Sequence, residues 1–62
     1  MEVYCVMELT DYEYGNREIE SVWATYGQAQ EYIDKMGNDR ITLWNDRELD
    51  IYTIQEYQVQ GI

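Results

Sequence analysis

Proline, phenylalanine and histidine are absent from this 62-residue chain, cysteine occurs once, and Lys and Arg together number four. Each shortage excludes something. With no histidine and no serine in a nucleophile elbow, the usual nucleophile–base pairs cannot be assembled, and no glycine-rich phosphate loop follows a strand. Cys5 stands alone, which rules out a disulfide framework and any CxxC metal or redox motif; its place in an apolar run marks it as a small core residue. No stretch approaches the roughly 20 apolar residues of a membrane span, and MEVYCVMEL lacks the basic region of a leader. The chain is therefore expected to be cytoplasmic, to need no cofactor or metal, to contact no membrane and not to be an enzyme. Carboxylates alone can do acid–base work, but they need a cleft that separates their pKa values, and so small a fold rarely encloses one.

What is present is acid and aromatic rings. Thirteen Asp and Glu give a net charge of −9, beyond the magnitude of about 2 to 8 that keeps a small domain soluble. Self-repulsion of that size works against a compact state. A positively charged partner gives a reason to carry it, whereas direct binding to nucleic acid is disfavoured; the plainer alternative is solubility. Hydrophobic residues make up 45% of the chain and aromatics 15%, the latter as seven Tyr and two Trp, so every large ring has a polar edge suited to half-buried contact surfaces. A chain this short makes one domain, residues 1–62, and buries only about 60% of its unfolded surface.

The pattern of the chain predicts an α+β fold. Residues 2–9 alternate Val3, Cys5, Met7, Leu9 with Glu2, Tyr4, Val6, Glu8, the period of a strand with two partly apolar faces. Residues 18–26 read as a second strand, and Tyr14-Gly15-Asn16 supplies the turn between them. Thr25 with Gln28 resembles a capping box, Ala29, Tyr32, Ile33 and Met36 fall at helical spacing, and Gly37 is placed as a stop, giving a helix over 26–36. Residues 41–44 read as a short extra strand turning at Asn45-Asp46. Residues 49–59 read as the closing strand, with a bulge near Thr53 reconciling its two apolar parities. Right-handed crossover then favours a three-stranded antiparallel or mixed sheet of ββαβ connectivity in the order 2-1-3.

In that topology the hairpin tip and the 38–48 loop share one end of the molecule. The acidic surface expected there comprises Glu8, Asp11, Glu13, Glu18, Glu20, Asp46, Glu48 and Asp50, with Tyr12 and Tyr14 as anchors beside the charges. Residues two apart on a strand point to one side about 6.8 Å apart. Rows such as Glu18–Glu20 and Glu48–Asp50 thus approach the charge density of a nucleic-acid backbone, one phosphate per roughly 3.4 Å on each strand. Asp39 and Asp46 share a loop, but without the residue order of a calcium hand. One helix covers only one face of a three-stranded sheet, so the other is expected to expose part of the set Tyr4, Val6, Trp23, Tyr52 and Ile54, a contact surface for a partner or a second copy.

The layout, with VYxVxE at the start, YGQAQEYI at the helix and IYTIQEYQV at the end, resembles small domains that open with a hairpin, continue with a helix and close with a strand; size, acidity and tyrosine-rich loops are similar to those of small phage-borne anti-CRISPR proteins of the kind that imitate DNA and inhibit type I surveillance complexes. The resemblance implies a non-catalytic inhibitor in the bacterial host cytoplasm. Its partner would be a basic nucleic-acid-binding protein, a Cas subunit, whose DNA groove it occupies. The alternative class is a small regulatory module that binds a protein through its open sheet face, as a monomer or homodimer.

Overall fold

The computed structural model describes residues 1–60. Strands β1 (Glu2–Leu9) and β2 (Arg17–Trp23) form a hairpin, helix α1 (Tyr26–Met36) follows, β3 (Arg40–Thr42) and β4 (Glu48–Asp50) form a second, smaller hairpin, and β5 (Tyr52–Gln58) closes the chain. The main sheet is antiparallel throughout, in the order β2-β1-β5, so the first strand is central as its two-sided composition implied. β3 and β4 form a separate two-stranded sheet. The extra strand is therefore present but pairs with a segment assigned to the closing strand. That strand is broken at Ile51, where the backbone bends; its N–H turns to Asp39 O at 2.9 Å while its carbonyl accepts from Leu9 N at 2.8 Å. This break, not a bulge at Thr53, resolves the two apolar parities of residues 49–59.

Local chemistry explains the elements. Thr25 Oγ1 accepts from Gln28 N at 3.1 Å and Gln28 Oε1 accepts from Thr25 N at 3.3 Å, a complete capping box. At the far end Gly37 takes φ 78° and donates to Ile33 O, a stop that glycine reaches without a Cβ penalty. In the β1–β2 turn the Asp11 carboxylate accepts from Glu13 N (3.0 Å), Tyr14 N (3.2 Å) and Asn16 Nδ2 (2.9 Å), while Gly15 adopts φ 82°. In the β3–β4 turn the left-handed position falls on Asp46 (φ 66°), a conformation short polar side chains tolerate best after glycine.

The sheet has two unlike faces, and a β-bulge decides which residue goes where. β2 pairs Ser21 with Val6 but Ile19 with Met7, so Glu20 is the extra residue. The bulge places Ile19 and Val22 on one face although they are three apart, and leaves Glu18, Glu20 and Ser21 on the other. The helix packs on the second face, where Val6, Ala29 and Ile33 are buried among Tyr4, Trp23, Tyr32, Tyr52 and Ile54. The set expected to be exposed is thus the set beneath the helix. The uncovered face carries Val3, Cys5 and Met7 of β1, Ile19 and Val22 of β2, and Thr53, Gln55 and Tyr57 of β5.

Among the described residues six hydrophobic side chains are buried, namely Cys5, Val6, Leu9, Ala29, Ile33 and Leu43. The Cα radius of gyration is 12.9 Å and the principal extents are 43 × 26 × 13 Å. A compact chain of this length would have a radius near 10.5 Å. The fold is therefore a flat two-layer plate, with few residues far from its surface.

Candidate acidic interface

The two hairpin tips meet. Trp44, in the β3–β4 turn, donates its indole N–H to Glu13 O at 2.6 Å, and the Arg17 guanidinium donates to Ile51 O at 2.9 Å and to Asp50 O. One end of the molecule therefore gathers Asp11, Tyr12, Glu13 and Tyr14 from the first tip with Asp46, Glu48 and Asp50 from the second hairpin. Tyr12, Tyr14 and Trp44 are all exposed there.

The acids divide by what surrounds them. Asp11 is held by its own turn, and Asp46 occupies a conformation its turn requires. Glu48 and Asp50 flank Arg40, at 3.9 Å and 3.2 Å, and Asp50 lies directly opposite Arg40 in the β3–β4 register. These two share one guanidinium, so their charge is partly offset and they do not form an uncompensated row. Glu8 and Glu18 are different. They face each other directly across β1 and β2, and neither makes a side-chain hydrogen bond or ion pair among the described residues. Like charges in that position destabilise a sheet.

Glu20, brought to the same side by the bulge, accepts from the Tyr32 hydroxyl at 2.9 Å. That bond, with burial and the negative charges of Glu20 and Glu8, pushes the Tyr32 phenol up to about 12. Tyr52 is also raised, first by burial and then by Glu8 and Glu20. Glu8, Glu18 and Glu20 thus form a negative patch beside the helix, interleaved with the rings of Tyr32 and Tyr52. Because of the bulge, Glu18 and Glu20 share a side but not the spacing of a regular strand. No group of three acidic, cysteine or histidine side chains among the described residues is placed to hold a metal ion.

Sequence reasoning missed the neighbours of this patch. Tyr32 read as core and Tyr52 as part of the open sheet face, yet Tyr32 donates its hydroxyl to Glu20 and Tyr52 lies directly across from Glu8. Glu2 and Glu56 form a second like-charged pair at the other end of the same face, where Glu2, then burial and a side-chain hydrogen bond between the two, raise the Glu56 carboxyl. An open cleft of about 260 Å³ lies between β2 and the helix, lined by Trp23, Gln28, Glu31, Tyr32 and Lys35. Its floor is the Trp23–Tyr32 ring pair, with centroids 5.4 Å apart. The alternation of β1 and the spacing of the helix held the signal for these neighbours, but it needs the strand register to be read.

No protein family matches this chain, and no curated protein or solved structure is similar to it at a significant level. No helix among the described residues is long and apolar enough to cross a membrane.

Proposed function

We propose that the protein is a non-catalytic acidic binding protein that occupies a basic nucleic-acid-binding groove on a partner, in the manner of an anti-CRISPR inhibitor that imitates DNA charge. The observation that carries this reading is the Glu8–Glu18 pair. Two carboxylates opposed across a small sheet, with Glu20 beside them and no cation to offset them, cost stability that a six-residue core can hardly spare. Ordinary solubility does not require acids to face one another on the side of the sheet that carries the helix. A row of partner Arg and Lys would relieve the repulsion, while the tyrosine rings exclude water around the contacts.

The test uses a type I surveillance complex and its target duplex. Added protein is expected to abolish duplex binding in a mobility-shift assay at near-equal stoichiometry. Inhibition should weaken as salt is raised, and it should be lost in the Glu18→Lys, Glu20→Lys double variant. Undiminished duplex binding across complexes of different subtypes, together with no salt-sensitive capture of any basic protein from a CRISPR-bearing lysate, overturns the reading.

A further inference from the structure

The five carboxylates carried by the main sheet, Glu2, Glu8, Glu18, Glu20 and Glu56, all project to the helix side. The opposite face has none, although acids outnumber Lys and Arg by thirteen to four in the chain. Its only charged side chain, Arg17, is tied at one end to the carbonyls of Asp50 and Ile51. The rest is apolar or neutral; Cys5 and Leu9 of the central strand are buried, and around them Ile19 is 55% exposed, Val22 56% and Tyr57 44%. Met1 and Val59, joined by the Val59 N to Met1 O hydrogen bond, extend the face at its other end and are also exposed. The bulge at Glu20 makes this separation possible, because regular alternation would have put Val22 with the acids and Ile19 under the helix.

We infer that this face is the contact surface for a second copy of the chain. Two molecules of charge −9 repel over most of their surface, and the open sheet face is the one broad area where they can meet without bringing carboxylates together. Charge also argues against the other occupants. A basic partner gains nothing from a neutral face, and an acidic one is repelled by the rest of the molecule. Packing face to face produces a helix–sheet–sheet–helix sandwich with its sheets about 10 Å apart. Its acidic sides lie outermost, where both remain accessible. The uncovered area spans three strands, about 14 Å across and about 24 Å long. That is the small, reversible class of interface rather than the obligate class. The inference does not rest on the DNA-mimic reading.

Sedimentation velocity of the purified protein from about 10 µM to about 1 mM tests it, a range that brackets a micromolar-to-millimolar equilibrium. The mass is expected to rise from the 7.5 kDa of the chain to twice that value. Raising salt from about 0.05 to about 0.5 M should strengthen the dimer by screening its charge, the opposite of its effect on binding to a basic partner. Val22→Glu should keep the protein monomeric throughout, with unchanged far-ultraviolet circular dichroism, since Val22 is already half exposed. Should that variant unfold, the wild type still decides: the methyl signals of Met1 and Met7 should move with concentration while that of Met36, on the helix, stays fixed. A wild type that remains monomeric at about 1 mM in about 0.5 M salt overturns the inference. So does a dimer that survives Val22→Glu intact, or one whose Met1 and Met7 signals do not respond to dilution.

Discussion

Glu18 stands directly across from Glu8 in the β1–β2 pair, two carboxylates sharing one side of a sheet with no ion pair to either among the described residues. The arrangement sets stability against binding. Glu18→Lys should turn a repulsive cross-strand pair into an attractive one, worth about 0.5 kcal/mol or more. For a domain this small that corresponds to a rise of about 2–4 °C in Tm. The same change should reduce association with a basic partner several-fold. Thermal unfolding and a binding isotherm on one variant check both, and a variant that loses stability shows that the opposed acids carry no cost.

Tyr32 reports the field of that patch. Its hydroxyl donates to Glu20 Oε1, and its pKa is pushed up to about 12 from the usual 10. The folded state therefore holds this proton after the unfolded chain has released it. The stabilisation is complete below pH 10 and is lost as pH rises from 10 through about 12. In a spectroscopic titration of the seven tyrosines, Tyr4 and Tyr52 should ionise late as well, and the last phenolate to form should be that of Tyr32. Tyr32→Phe should remove that last step. Glu20→Gln should move it down toward 10, because the amide still accepts the hydrogen bond but no longer carries the charge. A last step near pH 12 that persists in Tyr32→Phe assigns it to another ring.

Much of this was legible in the sequence because the signals were local. Thr25, Gln28 and Gly37 mark the helix ends through bonds to their own neighbours, and hairpin, helix and closing strand fix the strand order by connectivity alone. The faces of the sheet were not legible. A bulge depends on how β2 seats against β1, so nothing in REIESVW shows that Glu20 will be the extra residue and that Ile19 and Val22 will share a face; nor does strand alternation, which groups Tyr4, Val6, Trp23, Tyr52 and Ile54 together, show that theirs is the face the helix covers. The partial compensation of Glu48 and Asp50 by Arg40 was hidden for a related reason. Arg40 reaches them only once the 43–47 turn sets the β3–β4 register, and single-residue charge counting cannot supply that register. The meeting of the two tips, by contrast, followed from topology, although the bond from the Trp44 indole N–H to Glu13 O that joins them did not.

The join between the tips gives a prediction in which one substitution has opposite signs at two sites. Gly15 has φ 82°, and a Cβ built there would lie 3.0 Å from Leu49 Cδ1 and 3.6 Å from Leu43 Cδ1. Gly15→Ala therefore forces a side chain into the left-handed region, at about 1 kcal/mol or more, and presses on leucines of the second hairpin. Gly27 lies in the first turn of the helix, and a Cβ there meets nothing within 4 Å. Gly27→Ala should stabilise by about 0.5–1 kcal/mol, because the unfolded chain loses freedom while the helix gains propensity. Chemical denaturation should thus move the two midpoints in opposite directions. In Gly15→Ala the Trp44 indole N–H signal should also shift as its bond to Glu13 O loosens, while that of Trp23, bonded to Ser21 Oγ, holds its position. If both indole signals move together, the loss is global and the two tips are not coupled through Gly15.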